Sequence, residues 1–277
     1  SKGIFHIALK ANKDFGHEKP IYIIPTGIEY GDYFRYRSTA LISFGEPINV
    51  TEYVNQHKEE NEAIVMNGLR ELVTEGLSKQ ISYIPDNEEN YEAIWEMTKI
   101  KSGLKGNLEE RLEHNQKTIK DILEWKEKSP EKAKDKFEKV NKFIKKRKKK
   151  GISVTSFTKK NIVGTALWKT LVALLGLPYY IASAAANLPI WIATMLLKKS
   201  FKDKAWGNTI SFAAETILHP ILMILCIVLT FCFLPWQIAT ASCLIFYPSY
   251  MYFVDFGEFL RRWISDVKWM FNKKLKI

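Results

Sequence analysis

Ile21-Tyr22-Ile23-Ile24-Pro25-Thr26-Gly27-Ile28, then Thr39 to Phe44 and the closing Gly45-Glu46-Pro47-Ile48, form the stretch whose reading decides the fold. Apolar runs of this length bounded by Gly and Pro have the pattern of buried strands rather than helices. Pro25 removes a ladder donor, which places its strand near an edge, at a bulge or at the strand's end. Between the two strands lies a polar, aromatic turn that carries Arg35-Tyr36-Arg37. In an extended segment both guanidiniums point to one face and can hold one anion. Stacking among Tyr33, Phe34 and Tyr36 is the structural alternative for the same pair.

Working outward, Gly3 to Asn12 reads as a helix with Ile4, Ile7, Ala8 and Ala11 on one face. Lys2 precedes it, near a helix N-terminus whose N–H groups favour phosphate; a solvated lysine is the alternative. Thr51 reads as an N-cap. Ile64, Val65, Leu69, Leu72, Val73 and Leu77 recur at helical spacing from Asn61 to about Ile81, which predicts a helix packed on the sheet. Asp86 is expected to cap a shorter amphipathic helix carrying Tyr91, Ile94 and Trp95.

Three short motifs, in order, resemble the C-terminal half of the glycerolipid acyltransferase domain found in glycerol-3-phosphate and lysophosphatidic acid acyltransferases. Ser1-Lys2-Gly3-Ile4-Phe5-His6-Ile7-Ala8 is similar to the helix start that follows that family's third motif. Ile23-Ile24-Pro25-Thr26-Gly27-Ile28 is similar to its fourth motif, with Ile24, Pro25, Thr26 and Gly27 at its centre, and Phe44-Gly45-Glu46-Pro47-Ile48 to the strand end that follows. The resemblance covers roughly residues 1–81. It implies an α/β sheet-and-helix domain, here over residues 1–100, whose pocket neighbourhood makes Lys2, Arg35 and Arg37 candidate contacts for a substrate phosphate. It also implies transfer of a fatty acyl group from acyl-CoA or acyl-acyl-carrier-protein to lysophosphatidic acid or a related glycerol phosphate acceptor. The family's general base is a histidine oriented by an aspartate five positions on, and no metal or other cofactor is implied. Among the five histidines only His57, with Glu62, has an acid at that spacing, and it stands in a polar helical stretch without a strand-to-helix turn. The catalytic pair is therefore expected upstream of Ser1, with this chain as a fragment. The alternative is an inactive, membrane-anchored scaffold with a basic lipid-binding surface.

Charge and hydropathy are segregated along the chain. It is 47% hydrophobic with a formal net charge of +11, and Lys99 to Lys150 holds 17 Lys and 2 Arg against 9 acids. Gly103 and Gly106 mark a boundary, beyond which residues 101–160 read as a basic amphipathic helical hairpin turned at Ser129-Pro130. Its end, Lys145-Lys146-Arg147-Lys148-Lys149-Lys150, stands just before the first apolar region and reads as a contact for an anionic membrane surface, each base contributing about 1 kcal/mol. Nucleic acid is the weaker reading, because no recognition fold or stacking motif accompanies the charge.

Residues 161–277 read as membrane-associated helices. Ile162 to Leu197 is interrupted by Lys169, Gly176-Leu177-Pro178 and Asn187-Leu188-Pro189, which suggests a re-entrant hairpin with Lys169 snorkelling to the headgroups. Ile217 to Leu234 and Gln237 to Val254 are charge-free, which suggests a transmembrane hairpin over residues 210–254. Cys226, Cys232 and Cys243 read as small buried hydrophobes. Basic flanks on all three sides place the soluble parts in the cytoplasm, and the expected location is the bacterial inner membrane.

Overall fold

The computed structural model describes residues 3–16, 18–32, 37–102, 106–203 and 206–272. The chain is mostly helical with two small antiparallel sheets. It divides into two compact units, Ser1–Gly31 with Thr39–Asn141 and Asp32–Ser38 with Lys142–Ile277.

In the first unit, helix α1 (Gly3–Phe15) leads into a strand pattern that Pro25 divides. Strand β1 (Tyr22–Ile23) stops before the proline and β2 (Thr26–Tyr30) starts after it. The reason is local: Pro25 has no N–H to give a ladder. Its carbonyl still accepts from Gly45 N at 2.8 Å. β2 pairs antiparallel with β3 (Ala40–Phe44), Thr26 opposite Phe44 and Ile28 opposite Ile42, while β1 pairs with β4 (Ile48–Asn49). The result is two separate two-stranded ladders instead of the larger sheet expected of an α/β domain.

Helix α2 (Val50–Gln56) follows β4 directly, and its N-cap is Asn49, whose side chain accepts from Glu52 N at 3.1 Å. Thr51, expected in that role, lies inside the first turn, where its hydroxyl accepts from Ile21 N at 3.0 Å. Helix α3 (Glu62–Ser78), capped by Asn61, buries Val65, Leu69 and Val73 as its spacing predicts. With Phe5, Ala8, Ile23 and Val50 these form the core of this part of the unit. On α1 the core face is Phe5 and Ala8; Ile4 and Ile7 turn outward, because the helix carries apolar residues on more than one face.

Asp86 lies in a turn before helix α4 (Tyr91–Ser102) rather than at its cap. Helix α5 (Leu108–Lys128), capped by Asn107, buries Leu112, Ile119 and Ile122. Gln116 Nε2 donates to the carbonyls of Lys79 and Ile81, and Lys126 Nζ to the Glu88 carboxylate at 2.7 Å. The boundary expected at residues 103–106 therefore lies within this compact unit. Helix α6 (Pro130–Lys149) starts at the proline, as its fixed φ favours, and Phe137 packs edge-on against Trp125 in the first unit.

The second unit consists of the residues 32–38 segment, the end of α6 and helices α7 (Val154–Phe157), α8 (Ile162–Ala186), α9 (Leu188–Ser200), α10 (Trp206–Phe233), α11 (Trp236–Phe246) and α12 (Ser249–Phe271). α8 runs unbroken through Gly176-Leu177-Pro178, and the chain breaks at Asn187 instead. α12 packs along α8, with Tyr252 OH donating to Gly176 O at 3.0 Å and Trp263 Nε1 to Thr170 Oγ1 at 2.9 Å. α8 and α10, of 25 and 28 residues, are each long and apolar enough to cross a membrane. The charge-free run 237–254, expected as one arm of a transmembrane hairpin, is split at Tyr247-Pro248 into α11 and the start of α12. The 11 residues of α11 span about 16 Å, short of a ~30 Å hydrocarbon layer.

Candidate functional site

The motif strand places its residues unevenly. Pro25 and Gly27 are buried, while Ile24 and Thr26 face outward. Pro25 packs over α3, where a Cβ added to Gly76 would come within 2.6 Å of its ring. A Cβ on Gly27 would collide with the Gln80 carbonyl. The inner face of the β2–β3 ladder is covered by polar contacts. Ser43 Oγ donates to Gln80 O at 2.9 Å, and Ser82 donates to the Glu29 carboxylate from both N and Oγ. The outer face is apolar: Ile28, Ile42 and Phe44 are 48%, 56% and 71% exposed.

Of the three candidate phosphate contacts, Lys2 and Arg35 lie outside the described residues. Arg37 lies in the second unit at φ 60°, the left-handed region that non-glycine residues rarely adopt. Its Nε and Nη2 donate to Asp255 Oδ1 and Oδ2 at 3.4 and 3.3 Å, so the planar fork expected to hold a phosphate holds a carboxylate. Both partners are well exposed, and such a pair contributes only about 0–1 kcal/mol. One turn along α12, Glu258 accepts from Arg261 Nε at 2.7 Å and Arg262 Nε at 2.8 Å. Burial pushes the Glu258 carboxyl up, but these hydrogen bonds and charges outweigh it and hold it below its usual range. Arg261 Nη2 also lies 3.7 Å from Asp32 Oδ2. Within this unit, therefore, residues 32–38 and α12 carry an alternating set of acids and arginines.

The expected membrane-surface run resolves into two kinds of residue. Lys145, Lys146, Lys148, Lys149 and Lys150 are exposed. Arg147 is buried, and its Nη1 donates to Ile152 O at 2.6 Å, so it closes the end of α6 and takes no part in that surface. Ile152 N in turn donates to the Arg147 carbonyl at 3.2 Å, and a basic side chain at this end also meets the negative end of the helix.

Sequence reasoning missed a charged cluster centred on Asp266. This carboxylate is fully buried on α12, and its Oδ2 accepts from Lys159 Nζ at 2.5 Å and Lys169 Nζ at 2.7 Å. Among the described residues Asp266 Oδ1 has no hydrogen-bond partner. Burial pushes the carboxyl up, yet hydrogen bonds from Lys159, Lys169 and Ser156 hold it below its ordinary value; burial, with Lys169 alongside, outweighs Asp266 and pulls Lys159 down. Lys169, expected to snorkel alone, is thus tied to an acid. Beside it, Ser265 Oγ receives Ser153 N and shares a hydrogen bond with Ser156 Oγ. A lone lysine in one apolar run and a lone aspartate between Trp263 and Trp269 were the available signals.

A second polar knot sits at the α8–α9 break. Asn187 Nδ2 donates to Ser183 O and Ser249 Oγ, both at 2.9 Å. The three cysteines are free, and none is buried as expected: Cys232 is exposed and Cys226 and Cys243 are half-buried. His57, the one histidine with an acid at the expected spacing, closes α2. Its Nδ1 is 2.8 Å from Tyr53 O and its ring stacks on Tyr53, which ties it to its own helix. No family model, curated protein or solved structure gives a significant match to this chain.

Proposed function

We propose that this chain is part of a membrane-bound acyltransferase of phospholipid synthesis, contributing the end of the substrate-binding domain and its membrane anchor. The observation that carries the reading is the exposed apolar face of the β2–β3 ladder. A two-stranded ladder alone is marginal in water, and Ile28, Ile42 and Phe44 on one face match what a further layer of the same domain would cover. Ile4 and Ile7 on α1 are likewise turned outward. Such a layer would supply the His–Asp pair that removes a proton from the acceptor hydroxyl as it attacks the acyl thioester. Arg37 would exchange Asp255 for the acceptor phosphate. α8 and α10 are apolar enough to anchor the chain in a bilayer, where the acceptor and product reside, and the exposed lysines of residues 145–150 would face the anionic cytoplasmic leaflet.

The natural reading frame that carries this chain, expressed in membranes, is the material for the test. Phosphatidic acid formed from lysophosphatidic acid and either acyl-CoA or acyl-acyl-carrier-protein is the readout. The expected result is acyl transfer, with Arg37→Ala raising KM for the acceptor about tenfold, as the loss of one charge-assisted contact predicts. Lysophosphatidic acid binding without acyl transfer from either donor would overturn the enzyme reading in favour of a scaffold.

A further inference from the structure

We propose that Lys159 and Lys169 form a clamp for the phosphate of an anionic phospholipid, held in place by Asp266 at the N-terminal end of α8. Both ammonium groups converge on Asp266 Oδ2, and among the described residues Oδ1 has no hydrogen-bond partner. Two cations and one anion leave a surplus positive charge, and its place is visible in the burial. Asp266 is 0% exposed, while the Lys159 and Lys169 side chains keep 27% and 18% of their surface. The lysine side chains, and not the carboxylate, reach the surface.

The surroundings fit a phosphate at headgroup level. Lys159 lies just before Asn161, the N-cap of α8, whose side chain accepts from Gly164 N at 3.0 Å. An anion there also meets the positive end of a long helix. Trp263 stands beside Lys169 with its indole N–H bonded to Thr170 Oγ1, the amphipathic placement typical of a membrane interface. Each ammonium has three donors, so both keep hydrogen bonds for a ligand after satisfying Asp266. A phosphate bridging them would complete the charge balance that Asp266 leaves open.

This inference rests on the membrane reading of α8 and is independent of acyl transfer. The full chain is purified in detergent, reconstituted into phosphatidylcholine nanodiscs with and without phosphatidic acid, and the co-retained lipid is quantified by mass spectrometry. Wild type is expected to enrich phosphatidic acid over phosphatidylcholine. Lys159→Gln and Lys169→Met should each cut that enrichment about fivefold, the contribution of one headgroup-level lysine, and Lys169→Arg should restore most of it. Lys159→Gln removes no residue from α8 and guards against a folding defect in Lys169→Met. Enrichment unchanged in Lys159→Gln and Lys169→Met overturns the clamp and leaves a structural ion cluster. Displacement of phosphatidic acid by an equal concentration of inorganic phosphate overturns the lipid assignment. Failure to enter phosphatidylcholine nanodiscs at all overturns the membrane reading beneath it, a result separate from entry without selectivity.

Discussion

In the first unit the fully buried side chains include Val50, Leu69, Ile94 and Val140, with polar Thr98 among them; in the second, Ser156, Ser183, Asn187 and Asp266 are fully buried alongside apolar Ile190 and Ala239. The outer surfaces differ more. Leu175 and Phe233 of the second unit are 75% and 80% exposed, whereas the first unit outside its β face is studded with Lys and Glu. A chain folding in water hides apolar groups and leaves polar ones to the solvent. Where helices cross hydrocarbon, polar side chains find no partner outside and gather within. In the second unit α8 and α10 are long and apolar enough to cross a membrane.

Asp266→Ala is the sharpest attack on that contrast. It would leave Lys159 and Lys169 partly buried and facing each other without a counter-charge, and should cost about 3–5 kcal/mol. Thermal unfolding of the detergent-purified chain, followed by Trp fluorescence, reads it. A loss no larger than that of a surface substitution would show that the polar cluster is not the core of this unit.

The matching attack on the first unit is Leu69→Ala. Leu69 is fully buried on α3, and truncating it should cost about 2–5 kcal/mol, depending on how far the site collapses. In the second unit, Leu175→Ala on the outer face should change stability by less than about 0.5 kcal/mol. Equal effects of the two leucine truncations would break the comparison.

Ile224 and Ile28 are both exposed isoleucines, one on α10 and one on β2. A lysine at mid-span costs about 3 kcal/mol of insertion, so Ile224→Lys should move a large share of the protein out of the membrane fraction. Ile28→Lys should leave that fraction unchanged. Fractionation of cells expressing each variant separates lipid-facing from water-facing apolar surface. A shift for Ile28→Lys as large as for Ile224→Lys would put the β face in the bilayer too.

The sequence was most legible where one local cause acts alone. Pro25 cannot donate to a ladder, and the strand pattern divides there. The i, i+4 spacing of Val65, Leu69 and Val73 gives α3, and Pro130 opens α6. It was less legible where two local options compete. α1 carries apolar residues on more than one face, and only its neighbours select Phe5 over Ile4 and Ile7. Asn49 took the cap expected of Thr51 because the chain turns from β4 straight into α2. Charge-free runs gave the location of apolar helices but not their ends, since Pro178 is absorbed within α8 while Pro248 separates α11 from α12. Least legible was the Lys169–Asp266 pair, 97 residues apart, because pairing at that separation leaves no period to read. The candidate phosphate contacts suffered similarly: nothing near Arg37 announces Asp255, and Lys2 and Arg35 fall outside the described residues.

The smallest expected effect tests the first unit on the second unit's terms, through a polar contact. Glu88 is nearly buried in the turn before α4 and accepts Lys126 Nζ from α5 at 2.7 Å. Burial pushes its carboxyl up, but hydrogen bonds from Lys126 and Asn90 outweigh it and hold it below its ordinary value. A carboxylate with a depressed folded-state pKa contributes stability that is fully present above its unfolded value of about 4.3. That contribution is lost as the pH falls through the lower, folded value. Glu88→Gln should therefore cost about 1–2 kcal/mol at neutral pH and progressively less in acid, where wild type loses the same contribution. Denaturant melts of both proteins across that pH range should converge on acidification. The contact is one latch on a unit whose core is Leu69 and its neighbours, so its loss should leave the rest of the fold in place. A collapse of the whole unit in Glu88→Gln would mean that polar contacts organise both halves of the chain, and that the difference between them lies only in what they show to the outside.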